Sequence, residues 1–386
     1  MKKVRESKAH IDYSLAYILF ALFVFSLLAV YSGSGQYSVS DPYFYVKRQV
    51  IWYIIGASVM VAVARFDYDI LERLAWPIYS LGIVFLVLVH FFGTNKNGSQ
   101  RWLSFGLFDI QPSEFMKVGL IIFLAVMLKR KGEKKLTFKE SIPIMLKLVI
   151  ASMIPFYLVL VQPDLGSALV IAAVLFTLLI SSGISYRLIG LLFTGFSVFI
   201  GMLVWMHNHF FDNFIKIIKP HQLDRIYGWL NPHEFIASYS YQLTQAMLGI
   251  GSGQMFGSGF NQGTQVQSGR IPEAHTDFIF SVVGEESGFA GGAFLIGLYF
   301  LLIYRMIIVA ISAENLLGVY IVAGSIGLIS FQVFQNIGMT IGLMPVTGLA
   351  LPFISYGGSA LLTNMIVMGL VLSIQLRSKK FLFLRQ

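Results

Sequence analysis

The residues of this sequence whose types and spacing could do chemistry are ionisable side chains set inside or against long apolar runs. On insertion scales a charge near a bilayer's centre costs roughly 2.5–3.5 kcal/mol, so each needs a reason. Four groups stand out. Gln111-Pro112-Ser113-Glu114-Phe115-Met116-Lys117 opens an apolar run, and Pro112 suits a first helical turn. Only 11 charge-free residues separate Lys117 from Lys129, so a spanning helix must include Glu114 and Lys117. Three apart, they share a face, either as a self-neutralising pair or as part of a site. Asp164, in Gln162-Pro163-Asp164-Leu165-Gly166, sits in a tight link where it could cap the next helix. Near another acid or base it becomes a site candidate. Asp277, in Ile271-Pro272-Glu273-Ala274-His275-Thr276-Asp277-Phe278, stands where a long loop enters an apolar run. Its carboxylate can accept a proton or hold a cation, and Thr276 could cap in its place, which favours function. Gly284, seven residues on, leaves room beside it; Glu285 and Glu286 point to different sides and cannot both share its pocket. Arg101-Trp102 is either site or interfacial anchor.

Two other motifs carry little. Asp67-Tyr68-Asp69 matches a short metal-binding pattern that is frequent by chance. His207 and His209 are two apart, a spacing that does not face one way on a helix. There is no cysteine, which excludes disulfides and thiolate metal sites.

The elements that must position these groups follow from composition. Of 386 residues, 56% are hydrophobic and 12% charged, half the charge expected of a soluble domain. The apolar residues come in blocks long enough to cross a bilayer. Ten spans are predicted, at roughly 12–31, 46–65, 75–92, 112–129, 144–162, 165–183, 187–207, 276–304, 316–341 and 349–376. The last two rest on a charge-free stretch of 62 residues between Glu314 and Arg377, broken by Pro345, Gly348 and Pro352. The fold class is therefore an all-α polytopic membrane helix bundle, residues 1–386 forming one integral membrane domain. Its one long extracellular loop, 208–275, joins spans seven and eight. The basic first ten residues precede an uncleaved first span.

Orientation follows from Lys and Arg. With both termini in the cytoplasm, 18 of the 28 fall inside and eight outside: Lys47, Arg48, Lys96, Arg101, Lys216, Lys219, Arg225 and Arg270. Arg305 is counted inside, just past span eight. The net charge of +9 thus reads as cytoplasmic loops, not as nucleic-acid binding. All four chemical groups then lie on the outer side. The glycine-rich stretch 249–269 either flexes or lets backbone approach a ligand, and 239–250 could lie as a short interfacial helix.

Together these segments resemble the SEDS family (shape, elongation, division and sporulation), its RodA branch more than its FtsW branch. The likeness is carried by Arg101-Trp102, QPSEFMK at 111–117, QPDLG at 162–166, PEAHTDFIFSVVGEE at 272–286 and GLMPVTGLALPFISYGGS at 342–359. It implies a peptidoglycan glycosyltransferase of the bacterial cytoplasmic membrane, active in cell elongation. The implied substrate is lipid II, a disaccharide-peptide on undecaprenyl pyrophosphate, polymerised at the outer face beside a class B penicillin-binding protein. Asp277 would be the essential acid, with Glu114, Lys117 and Asp164 lining the same cavity. A base must take the attacking hydroxyl's proton, and cations should stabilise the leaving pyrophosphate; Lys117, Arg101 and Arg270 are the candidates. A divalent ion, Mg or Mn, held by Asp277 or Asp164 is a further option. The competing readings are a flippase for the lipid-linked precursor and a scaffold that only holds partners. Transport favours charges near the midplane, whereas these crowd one side.

Overall fold

The computed structural model describes the chain except for residues 1–12, 38–40, 97–98, 105, 107–108, 133–135, 218–219, 233–239 and 379–386. Lys2, Lys3, Arg5, Lys8, Lys134, Lys135, Lys219, Lys379, Lys380 and Arg385, used in the orientation count, lie outside the described residues, as does Tyr239. Among the described residues seven long helices come first: α1 (Tyr13–Ser34), α2 (Phe44–Arg65), α3 (Leu71–Phe92), α4 (Pro112–Lys131), α5 (Phe138–Val161), α6 (Leu165–Ser181) and α7 (Tyr186–His209). Four short ones follow: α8 (Phe211–Ile217), α9 (Pro220–Leu230), α10 (Tyr241–Ser252) and α11 (Thr264–Gln267). Three long helices close the bundle: α12 (Ile279–Ser312), α13 (Leu316–Thr340) and α14 (Gly358–Leu376). The ten long helices occupy the ten predicted spans. Eight are long and apolar enough to cross a membrane unaided. The other two are α6, with 17 residues, and α4, whose apolar centre is flanked by charges at both ends.

Burial explains how α4 tolerates those charges. Fifteen of its 20 residues are buried, so neighbouring helices surround it. By contrast α7 buries two residues of 24 and presents the rest outward. Helices α4, α13 and α14 form the centre of the bundle, with α2, α3, α6 and α12 packed round them. At one end, polar ties lock helix termini together. Lys129 bonds Glu72 at 2.6 Å, Asn315 donates to Asp69 at 2.8 Å, and Arg377 reaches Asp67 at 3.7 Å and the Arg65 carbonyl at 3.0 Å. The Asp67-Tyr68-Asp69 motif is spent on these ties.

Three elements depart from the sequence reading. The stretch after α3, read as a loop, folds into an antiparallel ribbon of β1 (Thr94–Lys96), β2 (Ser99–Ser104) and β3 (Asp109–Ile110). Helix α12 runs to Ser312, so Arg305 lies within it, not in a loop past a span ending at 304. The last span starts at Gly358, not at 349, because residues 341–357 are not helical. They form an arch inside the bundle, with Gly348 at φ +72° and Phe353 at φ +63°. Irregular backbone at membrane depth survives only where protein satisfies its polar groups. Here side chains do so: Gln335 caps the Pro345 carbonyl, Asn336 that of Leu349, Tyr299 that of Pro352, Tyr53 that of Phe353, Ser26 that of Ile354 and Gln49 that of Ser355.

Candidate active site

The end of the bundle opposite those ties holds a cavity of about 480 Å³, walled by the ribbon, the starts of α4, α6 and α14, the first half of α2, the arch and the turns before α12. Asp164 anchors one corner. Its Oδ1 accepts from the Ser167 amide at 3.1 Å and so caps α6. Its Oδ2 accepts from Gln111 Nε2 at 2.9 Å and Ser113 Oγ at 3.2 Å. Arg101 Nη1, from within β2, lies 3.6 Å from Oδ1. Asp164 is therefore the cap that its position allows, and it is also buried in the cavity wall beside a base, Arg101.

Glu114 and Lys117 bond at 2.7 Å, the neighbours on one face that their spacing predicts. Glu114 lines the cavity, and among the described residues its Oε2 has no partner. Lys117 is 0% exposed and lies behind Glu114, out of the cavity wall. Trp102 lines the cavity beside Arg101. Arg270 is exposed and is not brought to the cavity.

Asp277 stands two residues before α12 and lines the cavity. Among the described residues no donor bonds its carboxylate. The backbone of Gly348 runs beside it; a Cβ there would lie 3.1 Å from Asp277 Oδ2. Partial desolvation by the surrounding protein raises the carboxyl to about 6, Arg101 opposing the rise and the Glu273 and Asp164 charges adding to it. His275 nearby is boxed by Tyr37 and Tyr45, with ring centroids 4.6 Å away, and by Tyr356. Burial lowers it to about 4, so it is neutral at physiological pH.

The acids after Asp277 serve a different end. Glu285 is wholly buried and accepts from the Gln265 and Val266 amides at 2.7 and 3.0 Å, pinning α11 to α12. Glu286 accepts from Ser32. Neither lines the Asp277 cavity. Gly284 does not make room for Asp277 as expected: it seats Ile250 of α10, where a Cβ would come within 2.8 Å. Helix α10 accordingly packs on α12. In the glycine-rich stretch backbone packs on backbone: a Cβ on Gly253 would meet the Gly284 oxygen and one on Gly257 the Glu286 oxygen. Gly288 breaks α12 at φ +63°, ψ −162°, and a Cβ on it would meet the Gly257 nitrogen at 2.4 Å.

Sequence reasoning missed Arg48, Glu273, Tyr356 and the glycines at the start of α14, all of which line the cavity. Arg48 carried the same signal as the others, a charge at the outer end of an apolar run. Among the described residues no three of His, Asp and Glu gather as a metal cage. Asp164 has its lone pairs engaged, so the residues present do not make a Mg or Mn site by themselves.

Residues 13–380 match the model of the FtsW/RodA/SpoVE family, described as a cell cycle protein. The chain is 36% identical over 379 residues to the peptidoglycan glycosyltransferase MrdB of Escherichia coli (strain K12), covering 98% of this chain and 97% of that one. It is 35% identical over 372 residues to the probable peptidoglycan glycosyltransferase FtsW of Trichlorobacter lovleyi, covering 95% and 93%. A solved chain from work on the coordination of polymerization and crosslinking by a peptidoglycan synthase complex superposes with a TM-score of 0.77 at 28% identity, over 94% of this chain and 97% of that one. On a match that runs nearly end to end, and with the fold shared as well, this multi-pass membrane protein belongs to the FtsW/RodA/SpoVE family.

Proposed function

We propose that this chain is a peptidoglycan glycosyltransferase that polymerises lipid II in the cavity described above, during cell elongation. One observation carries the reading: an unpartnered carboxylate, Asp277, shares a cavity with an arginine, Arg101, that Asp164 holds in place. The relatives named peptidoglycan glycosyltransferase support it. A hydroxyl of one lipid-linked sugar attacks the anomeric carbon of another, and its proton passes to Asp277. The bond from that carbon to the diphosphate oxygen breaks, and the diphosphate leaves with the bonding pair. A base works best with its pKa near the working pH, and Asp277, at about 6, is ionised at neutral pH yet still basic. Arg48 and Arg101 face the space where the leaving charge develops. So does the start of α14, which has no side-chain cap and carries Gly357 and Gly358 into the wall. Trp102 bounds the same space. No step requires a metal held by the protein alone.

The Lys and Arg bias supports a cavity on the outer side with both termini in the cytoplasm, the whole chain acting as one membrane unit. The matched chain from a peptidoglycan synthase complex supports a cross-linking partner, a class B penicillin-binding protein. Purified protein incubated with lipid II in detergent should yield glycan polymer. A flippase or a scaffold would yield none. The sequence has no cysteine, so single cysteines report sidedness. An impermeant maleimide should label Ser104→Cys on intact cells and Lys139→Cys only after lysis; the reverse would overturn the orientation.

A further inference from the structure

The last turns of α13 bury three amides, Gln332, Gln335 and Asn336, beside the arch. Asn336 is wholly buried. Its Nδ2 donates to the Asp277 carbonyl at 2.7 Å and to the Leu349 carbonyl at 2.7 Å. A side-chain amide has two donor hydrogens, and both are used here. The residues before Asp277 are tied to the arch in the same way. The Tyr356 amide donates to the His275 carbonyl at 2.9 Å, and Ser355 Oγ to the Thr276 carbonyl at 2.6 Å. Three successive carbonyls, 275 to 277, are thus stitched down, and Asn336 makes the stitch at the residue that carries the free carboxylate. Leu349, on the other arm of the bridge, follows Gly348, whose backbone borders the Asp277 carboxylate. One side chain therefore fixes both the turn that presents the carboxylate and the backbone that limits where it can point.

We propose that Asn336 is a positioning residue for Asp277 in glycosyl transfer. The proposal rests on the reading of Asp277 as the base. Asn336 does not line the cavity and so touches no substrate. It acts by holding Asp277 at the right distance, and a misplacement of about 1 Å can lower a rate by about 100-fold. Gln335 is the internal comparison. It is equally buried and ties the same arch, through the Pro345 carbonyl at 3.0 Å, but makes no bond to Asp277.

The test uses full-length protein in detergent, with kcat and KM for lipid II, the thermal midpoint and the pH profile of kcat/KM as readouts. Asn336→Leu keeps the volume and removes both donors. It should lower kcat by about 10- to 100-fold, leave KM within about threefold and displace the acid limb of the profile. Gln335→Leu should lower the thermal midpoint as much yet leave kcat and the acid limb in place. Asn336→Ser, which keeps one donor, should fall between and is measured in its stead if Asn336→Leu does not fold. Equal losses of kcat from Asn336→Leu and Gln335→Leu, with unmoved acid limbs, would overturn the proposal. So would an Asn336 variant with normal kcat, Asp277→Asn being inactive. If Asp277→Asn itself still polymerises, the base reading has failed and the positioning role falls with it.

Discussion

Two aspartates border one cavity in opposite states. Asp164 has every oxygen engaged, by a backbone amide, a glutamine, a serine and an arginine. Asp277 has its backbone fixed and its carboxylate free. The corner round Asp164 is a scaffold: its side chain gathers four donors from three elements. The corner round Asp277 is a tool: its surroundings hold the main chain still and leave the acid with only water or substrate to bind. Residue type and depth do not separate such roles. The count of donors already committed does.

The comparison breaks most sharply at Asp277. Asp277→Asn keeps size and removes the base, so polymerisation of lipid II should fall roughly 10²–10⁴-fold. Since no protein donor is lost, insertion and thermal midpoint should stay unchanged. Glu273→Gln and His275→Ala, measured beside it, should cost much less. A near-normal Asp277→Asn enzyme would strip the residue of its role.

The buried pair comes next. Lys117 is fully enclosed with Glu114 as its partner, so Lys117→Ala leaves a carboxylate uncompensated and should destabilise by about 3–5 kcal/mol. Because Lys117 lies behind the wall, exchanging the charges (Glu114→Lys with Lys117→Glu) should restore the thermal midpoint and most of the polymerisation. An exchanged protein that folds and stays inactive would show that one of the two meets substrate.

Asp164→Asn should give the smallest effect. Asn still caps a helix, so stability should barely change, while Asp164→Ala should cost about 1 kcal/mol more. With the charge gone Arg101 is no longer held, so both variants should raise KM for lipid II by about tenfold, the scale of a lost 1.4 kcal/mol contact. A kcat loss as large as that of Asp277→Asn would erase the contrast between the two corners.

How much of this was legible in the sequence follows the same divide between cost and contact. The spans were legible because apolar blocks and flanking charges are local. Glu114, Asp164, Arg101 and Asp277 were legible because a charge at membrane depth is costly wherever it folds. The arch was not, since 349–357 is as apolar as a helix and its carbonyls are satisfied by Ser26, Gln49, Tyr53, Tyr299 and Asn336, which are scattered along the chain. Asn97-Gly98 was a readable hairpin signal for the ribbon. Arg270 shares a loop with the site residues but not their position in space. Gly284 was read against Asp277 in its own helix, whereas its neighbour is Ile250.

The pH dependence of kcat/KM for lipid II polymerisation tests the central claim most directly. Asp277 must be ionised to take a proton, and burial raises its pKa to about 6. Activity should therefore be full at neutral pH and fall as pH drops through about 6, tending to tenfold per unit below it. The residual activity of Asp277→Asn should lack that limb. A wild-type profile that stays flat from about pH 7 to about pH 5, well below the pKa assigned to the base, or a limb that persists in Asp277→Asn, would contradict the assignment.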